Sequence, residues 1–176
     1  MSDQVDRSCT LILGGARSGK SSYAESVLER SPEPLVYIAT AQAFDFEMQE
    51  RITAHQQRRD ARWTTVEAPL DLPNALKEAG QTPVLVDCLT LWLSNLLLGE
   101  HDIEAASAQL ATALTARTAK TVLVSNEVGM GIVPENALGR AFRDHQGILN
   151  QRMAKAADHV VFVAAGLPLV LKGPTP

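Results

Sequence analysis

The run GGARSGKS satisfies G-x-x-x-x-G-K-[ST], the spacing of a phosphate-binding loop. It comprises Gly14, Gly15, Ala16, Arg17, Ser18, Gly19, Lys20 and Ser21. The glycines free the backbone to turn, so that successive N–H groups face phosphate oxygens, and a helix opening at Lys20 adds its positive end. Lys20 would then reach the β- and γ-phosphates of a nucleoside triphosphate, and the Ser21 hydroxyl would ligate Mg²⁺. The competing reading is a glycine-rich turn that happens to contain Lys and Ser. An apolar run before the loop and a helical pattern after it decide against that reading. Arg17 and Ser22 stay open between phosphate contact and solvated loop positions.

Such a loop needs a carboxylate at the end of a neighbouring strand to hold the metal's water shell. Asp87 closes the run Val84-Leu85-Val86 and fits that place; a cap on the helix that follows is the lesser alternative, and both roles could hold at once. A second constellation lies in EMQERITAHQQRR, where Arg51, His55 and Arg59 recur at i, i+4 and i+8 and share one helix flank. A neutral imidazole is a competent nucleophile toward phosphorus, and guanidinium neighbours would favour the neutral form while holding a triphosphate. From spacing alone the better reading is a solvated histidine among charges on an exposed helix.

The elements that must position these groups follow from periodicity. Strands are expected over Cys9–Leu13, Leu35–Ala39, Val84–Asp87, Thr121–Ser125 and His159–Ala164. Weaker ones at Trp63–Glu67 and Leu167–Leu171 would extend the edges. Helical patterns cover Lys20–Arg30, Phe44–Arg59, Leu72–Ala79, Leu89–Leu98, Ile103–Ala119 and Asn136–Ala157. Strands alternating with helices make an α/β protein: a RecA-like P-loop fold with a mostly parallel sheet flanked by helices. Within the helix at Leu89, Leu91, Trp92 and Leu96 suit either core or contact, with core as the expectation. The loop SNEVGMGIVPEN would fall at the sheet's carboxyl edge, where Asn126 or Glu127 could meet substrate or metal-bound water. A rigid connection with Asn136 starting the next helix is the alternative.

The 176 residues suit a single nucleotide-binding domain over 1–176, and 45% hydrophobic with 20% charged residues is a globular balance. A net charge of −4 provides no overall basic field for nucleic acid or an anionic bilayer, so any anion must be held locally. Apolar stretches fall short of a membrane span and the start lacks a signal peptide's apolar centre, making the cytoplasm the expected location. Cys9 and Cys88, without CxxC or Cys/His grouping, read as small apolar residues.

Taken together, GGARSGKS, Ala39-Thr40-Ala41, the RI-x-x-H stretch ending at His55, VDCLT-x-W-x-x-NLL from Val86 and SNEVGMGIVPEN from Ser125 are selective. The chain resembles the bifunctional adenosylcobinamide kinase/adenosylcobinamide-phosphate guanylyltransferase family of cobalamin biosynthesis. The similarity continues through Gly139-Arg140, Phe142-Arg143-Asp144 and Asn150-Gln151-Arg152 to the closing GLPLVLKG. The phosphate loop alone is common to many NTPases; NEVGMGIVP and the spaced histidine are far more selective.

The resemblance implies two reactions. GTP or ATP, with Mg²⁺, phosphorylates the aminopropanol hydroxyl of adenosylcobinamide. GTP then guanylylates a histidine, from which GMP passes to adenosylcobinamide phosphate, giving adenosylcobinamide-GDP. That histidine falls on His55. Further nucleotide contacts fall on the loop from Gly14 to Ser21, Ala39, Thr40, Ala41, Gln56, Gln57, Arg58, Arg59, Glu67 and Asp87, with Ser21 and Asp87 at the metal. Glu67 would accept from guanine. A homotrimer is implied as well. Departures are modest: an additional N-terminal stub, and Asp87 where some relatives use Glu. Two other readings compete: a P-loop kinase of another metabolite, with no covalent intermediate, and a RecA-like nucleotide-dependent switch or motor.

Overall fold

The computed structural model describes residues 8–29, 31, 34–41 and 61–176. The expected helix Phe44–Arg59 lies outside the described residues. Within them the chain runs β1 (Cys9–Gly14), α1 (Lys20–Leu28), β2 (Leu35–Ala39), β3 (Trp63–Glu67), α2 (Leu72–Glu78) and β4 (Val84–Asp87). It continues through α3 (Leu89–Leu98), α4 (Ile103–Ala116), β5 (Thr121–Asn126), α5 (Ala137–Ala156), β6 (His159–Ala164) and β7 (Leu167–Lys172).

The strands form one seven-stranded sheet in the order β3-β2-β4-β5-β1-β6-β7, parallel except for the final β6–β7 pair. Central strands are aliphatic on both faces because both faces are covered by helices. Alternation within each strand feeds two cores. On one face Leu11, Val86 and Leu123 pack with Leu89, Trp92 and Leu93 of α3 and Leu149 and Met153 of α5. On the other, Ile12, Leu85, Val122 and Val124 pack with Ala24, Val27 and Leu28 of α1. The two weaker strands, β3 and β7, are the edges, where burial cannot enforce a clean apolar run.

Side-chain caps start three helices: Asp71 accepts from Asn74 N, Asp102 from Ala105 N and Asn136 from Gly139 N. α3 is mostly apolar and buried through Leu89, Trp92, Leu93 and Leu96; Trp92 is fully enclosed, its Nε1 donating to Leu70 O at 2.8 Å. Trp92 and Leu96 therefore belong to the core, while half-buried Leu91 packs against the opposite cluster.

α4 stops three residues before its expected end. Arg117 leaves the helix in an extended conformation, and its guanidinium donates to Leu76 O at 2.5 Å, Thr82 O at 2.7 Å and Thr121 Oγ1 at 2.9 Å. Three tertiary acceptors outweigh one more helical turn. At the far edge, Ala165 and Gly166 both take positive φ, 52° and 78°, the two-residue turn whose twist suits a tight hairpin.

Candidate functional site

The loop between β1 and α1 is closed by geometry that side chains cannot share. A Cβ on Gly14 would sit 2.5 Å from both Ser18 Oγ and Val163 O, closer than real atoms approach. Gly19 holds φ at 93°, the left-handed region, and caps α1 without any side-chain bond, leaving the helix's first N–H groups to a ligand. Lys20 Nζ donates to Gly15 O at 3.1 Å, folding its side chain back over the loop. Ser18 is buried, and its hydroxyl oxygen has no hydrogen-bond partner among the described residues. Ala16 and Arg17 are exposed, Arg17 with φ 55°, and Ser21 is half-buried at the start of α1.

The hairpin turn supports the loop from outside. Gly166 N donates to Ser18 O at 2.8 Å, and Gly166 Cα lies 3.1 Å from where a Gly19 Cβ would stand. Sequence reasoning gave this turn no role beyond its place in the closing GLPLVLKG. Two glycines in close approach are its only signal, and they lie far apart in the chain.

Strand register then aligns the other candidates along one carboxyl edge. Ala39 pairs with Glu67 on one side and Asp87 on the other, Asp87 with Val124, and Asn126 with Gly14. Asp87 follows Leu85 by two residues, so it stands on the α1 face of the sheet, the face that carries the loop. Its half-buried carboxylate accepts from Tyr37 OH at 3.1 Å. The N-cap of α3 is Cys88, so Asp87 does not cap that helix. Tyr37 was not singled out from sequence, although a tyrosine in an aliphatic strand two residues before the edge needs a partner for its hydroxyl. Glu67 is exposed at the end of β3.

Thr40 is wholly buried. Its hydroxyl donates to Cys88 O at 2.6 Å and accepts from Cys88 N at 2.9 Å, while Asn95 Nδ2 donates to Thr40 O at 2.8 Å. The side chain therefore ties the β2 exit to the residue that follows Asp87, and the main chain is engaged too, Thr40 N donating to Asp87 O at 3.3 Å, so Thr40 shapes the edge from within. Ala39 is buried beside it and Ala41 is half-buried. His55, Gln56, Gln57, Arg58 and Arg59 lie outside the described residues.

Both thiols are buried and free. Burial pushes Cys9 up to about 12 and Cys88 to about 11; the neighbouring Asp158 and Asp87 carboxylates add to the effect. Lys20 acts the other way on Cys88, the cationic loop lying close to the end of β4. Neither thiol is a nucleophile at neutral pH. A groove of about 860 Å³ between α2 and α4, lined by Asn74, Lys77, Gln109 and Thr112, holds none of the predicted residues.

The glycine cradle, an orphaned buried hydroxyl in the loop, Lys20 and a carboxylate on the same face suit a magnesium-bound nucleoside triphosphate: amides and ammonium for phosphate, Ser21 and Asp87 for the metal. Among the described residues no helix is long and apolar enough to cross a membrane.

Comparison with known proteins agrees with this architecture. A protein of Pyrococcus horikoshii OT3, PH0250, superposes with a TM-score of 0.54 at 9% identity, covering 96% of this chain and 87% of that one, a likeness of fold alone. The bifunctional adenosylcobalamin biosynthesis protein CobP of Pseudomonas aeruginosa is 48% identical, over 93% of this chain and 96% of the relative. The bifunctional adenosylcobalamin biosynthesis protein CobU of Salmonella typhimurium is 44% identical, over 92% and 98%. The family model for cobinamide kinase / cobinamide phosphate guanyltransferase matches residues 10–171. With a P-loop fold, a complete phosphate loop and relatives matched along nearly their whole length, the chain belongs to the cobinamide kinase / cobinamide phosphate guanyltransferase family.

Proposed function

We propose that this chain phosphorylates adenosylcobinamide with GTP or ATP, and then transfers GMP from GTP, through His55, to adenosylcobinamide phosphate. The observation that carries the reading is the Gly14–Ser21 loop, with Lys20 folded over it and Asp87 on the same face of the sheet, in a chain of this family.

In the first reaction the acceptor hydroxyl oxygen attacks the γ-phosphorus, the bond to the β-phosphate oxygen breaks, and the nucleoside diphosphate departs; the hydroxyl proton passes to a base. Loop amides and Lys20 hold the phosphates and stabilise the charge that shifts onto the leaving oxygen. In the second, the neutral imidazole of His55 attacks the α-phosphorus of GTP and pyrophosphate leaves. A phosphate oxygen of the acceptor then attacks the phosphorus of the histidine-bound GMP, breaking the N–P bond and forming adenosylcobinamide-GDP. Gln56, Gln57, Arg58 and Arg59 would line the triphosphate beside His55, with the Ala39, Thr40 and Ala41 segment beside the nucleotide and Glu67 accepting from guanine. Ser21 and Asp87 would hold Mg²⁺, which when bound neutralises phosphate charge.

A single domain, a cytoplasmic location and a homotrimeric assembly complete the proposal. The apolar side chains of β7, Leu167, Leu169 and Leu171, are more than half exposed and suit contact between copies.

Intact-mass measurement after incubation with GTP and Mg²⁺ tests the reading. The expected result is an acid-labile GMP adduct that is absent from His55→Ala. An adduct that persists in the variant moves the nucleophile elsewhere. Its absence from an enzyme that still phosphorylates leaves a plain P-loop kinase.

A further inference from the structure

Asn126 ends β5, the strand that separates the loop strand β1 from the Asp87 strand β4. It pairs in register with Gly14, the first residue of the loop. Val122 and Val124 pack on the α1 side of the sheet, so two residues further on Asn126 stands on that side as well, beyond Val124 and facing the loop. Ser125 alternates to the other side, where its hydroxyl donates to Asn150 Oδ1 at 2.6 Å.

The main chain here is held from several directions. Asn126 N donates to Thr90 Oγ1 at 2.8 Å, Asn126 O accepts from Asn150 Nδ2 at 3.0 Å, and Glu127 N donates to Gly14 O at 3.0 Å. Gln146 Nε2 braces this arrangement, donating to Ser125 Oγ and Asn150 Oδ1, both at 3.0 Å. On a backbone so firmly fixed, the side-chain oxygen of Asn126 is nevertheless buried without a hydrogen-bond partner among the described residues. An unpaired buried amide oxygen is costly and calls for a donor that arrives from elsewhere. Glu127, the other polar candidate at this edge, has its carboxylate on Gly129 N at 2.5 Å and is engaged locally.

We propose that the Asn126 carboxamide contacts the γ-phosphate end of the bound triphosphate. Its oxygen accepts from water in the metal's shell, and its NH₂ group donates to a γ-phosphate oxygen. The inference rests on the loop holding a magnesium-bound nucleotide, as proposed above, and adds a specificity: Asn126 tells triphosphate from diphosphate. The far side of the sheet differs in place: Ser125, Gln146 and Asn150 bond to one another there, and although Gln146 Oε1 also has no partner among the described residues, it lies on the face away from the loop.

Equilibrium titrations of GTP and of GDP, each with Mg²⁺, on the full chain and on Asn126→Ala and Asn126→Asp test this. In Asn126→Ala, GTP is expected to bind about tenfold more weakly, the scale of one hydrogen bond to a charged group, while GDP changes by less than about twofold. Asn126→Asp keeps the size and adds negative charge toward the phosphate, so GTP weakens further and GDP again changes little. Equal weakening of both nucleotides, or no change in either, overturns the proposal, because a purely supporting residue cannot distinguish the two ligands. Wild-type protein that binds neither nucleotide overturns it together with the loop reading. Wild-type protein that binds GTP but forms no GMP adduct sinks the guanylyl-transfer reading alone, and the contrast between GTP and GDP still decides the role of Asn126.

Discussion

Gly14 has room for a hydrogen and nothing larger. A methyl group there would meet a main-chain oxygen, Val163 O, which cannot swing away as a flexible side chain could. Gly14→Ala is therefore expected to cost about 1–3 kcal/mol of stability and to distort the loop. A lowered melting temperature accompanied by lost GTP binding would confirm this, and an unchanged melt would refute it. Lys20→Ala, by contrast, should leave folding intact while slowing phosphoryl transfer by about 10²-fold or more, because it removes charge stabilisation and no packing. Rates measured at saturating GTP separate that loss from weaker binding. Thr40→Val keeps the shape but strands the amide of Cys88 in the interior, while the Cys88 carbonyl keeps the Trp92 N–H, at about 1–3 kcal/mol. The denaturant midpoint should fall accordingly.

Among elements, α3 and the β6–β7 hairpin support the site in different ways. α3 does so through burial: Trp92 is fully enclosed beneath the sheet and anchors the helix that starts two residues after Asp87. Trp92→Ala should cost about 3–5 kcal/mol, read from chemical denaturation, because the cavity left behind cannot collapse against a rigid sheet. The hairpin works through one hydrogen bond and one close contact of glycines, Gly166 against Ser18 and Gly19. Its tip has open space around it, so steric clash is not the issue at Gly166; its positive φ and its N–H are.

At the scale of the molecule, the two buried thiols link stability to alkaline pH. Each is held protonated in the folded chain, Cys9 to about 12 and Cys88 to about 11, against an ordinary value of 9.0. Unfolded chain releases those protons first, so their contribution is fully present below about pH 9 and is lost as pH rises toward the folded values. The slope is about 1.4 kcal/mol per pH unit for each thiol. Melting temperatures taken between pH 8 and pH 11 should therefore fall less steeply in Cys9→Ala than in the wild type. Parallel slopes would show that Cys9 is not held protonated.

The sequence by itself determined what depends on neighbouring residues. The phosphate loop, the aliphatic strand before it and the helix after it lie within a few turns of chain, and their spacing is their function. Among the described residues, strand and helix positions were legible for the same reason: burial on two faces leaves continuous apolar runs, and on one face a helical period. Helix ends were less so, as Arg117 illustrates, because its three acceptors come from α2, the loop before β4 and β5. Tertiary structure alone decided which distant residues meet. That Asn126 stands opposite Gly14, that Tyr37 holds Asp87, and that a glycine near residue 166 closes on the loop at residue 19 all follow from strand order and register. Strand order is set by how whole faces pack, and no local pattern of residues encodes it.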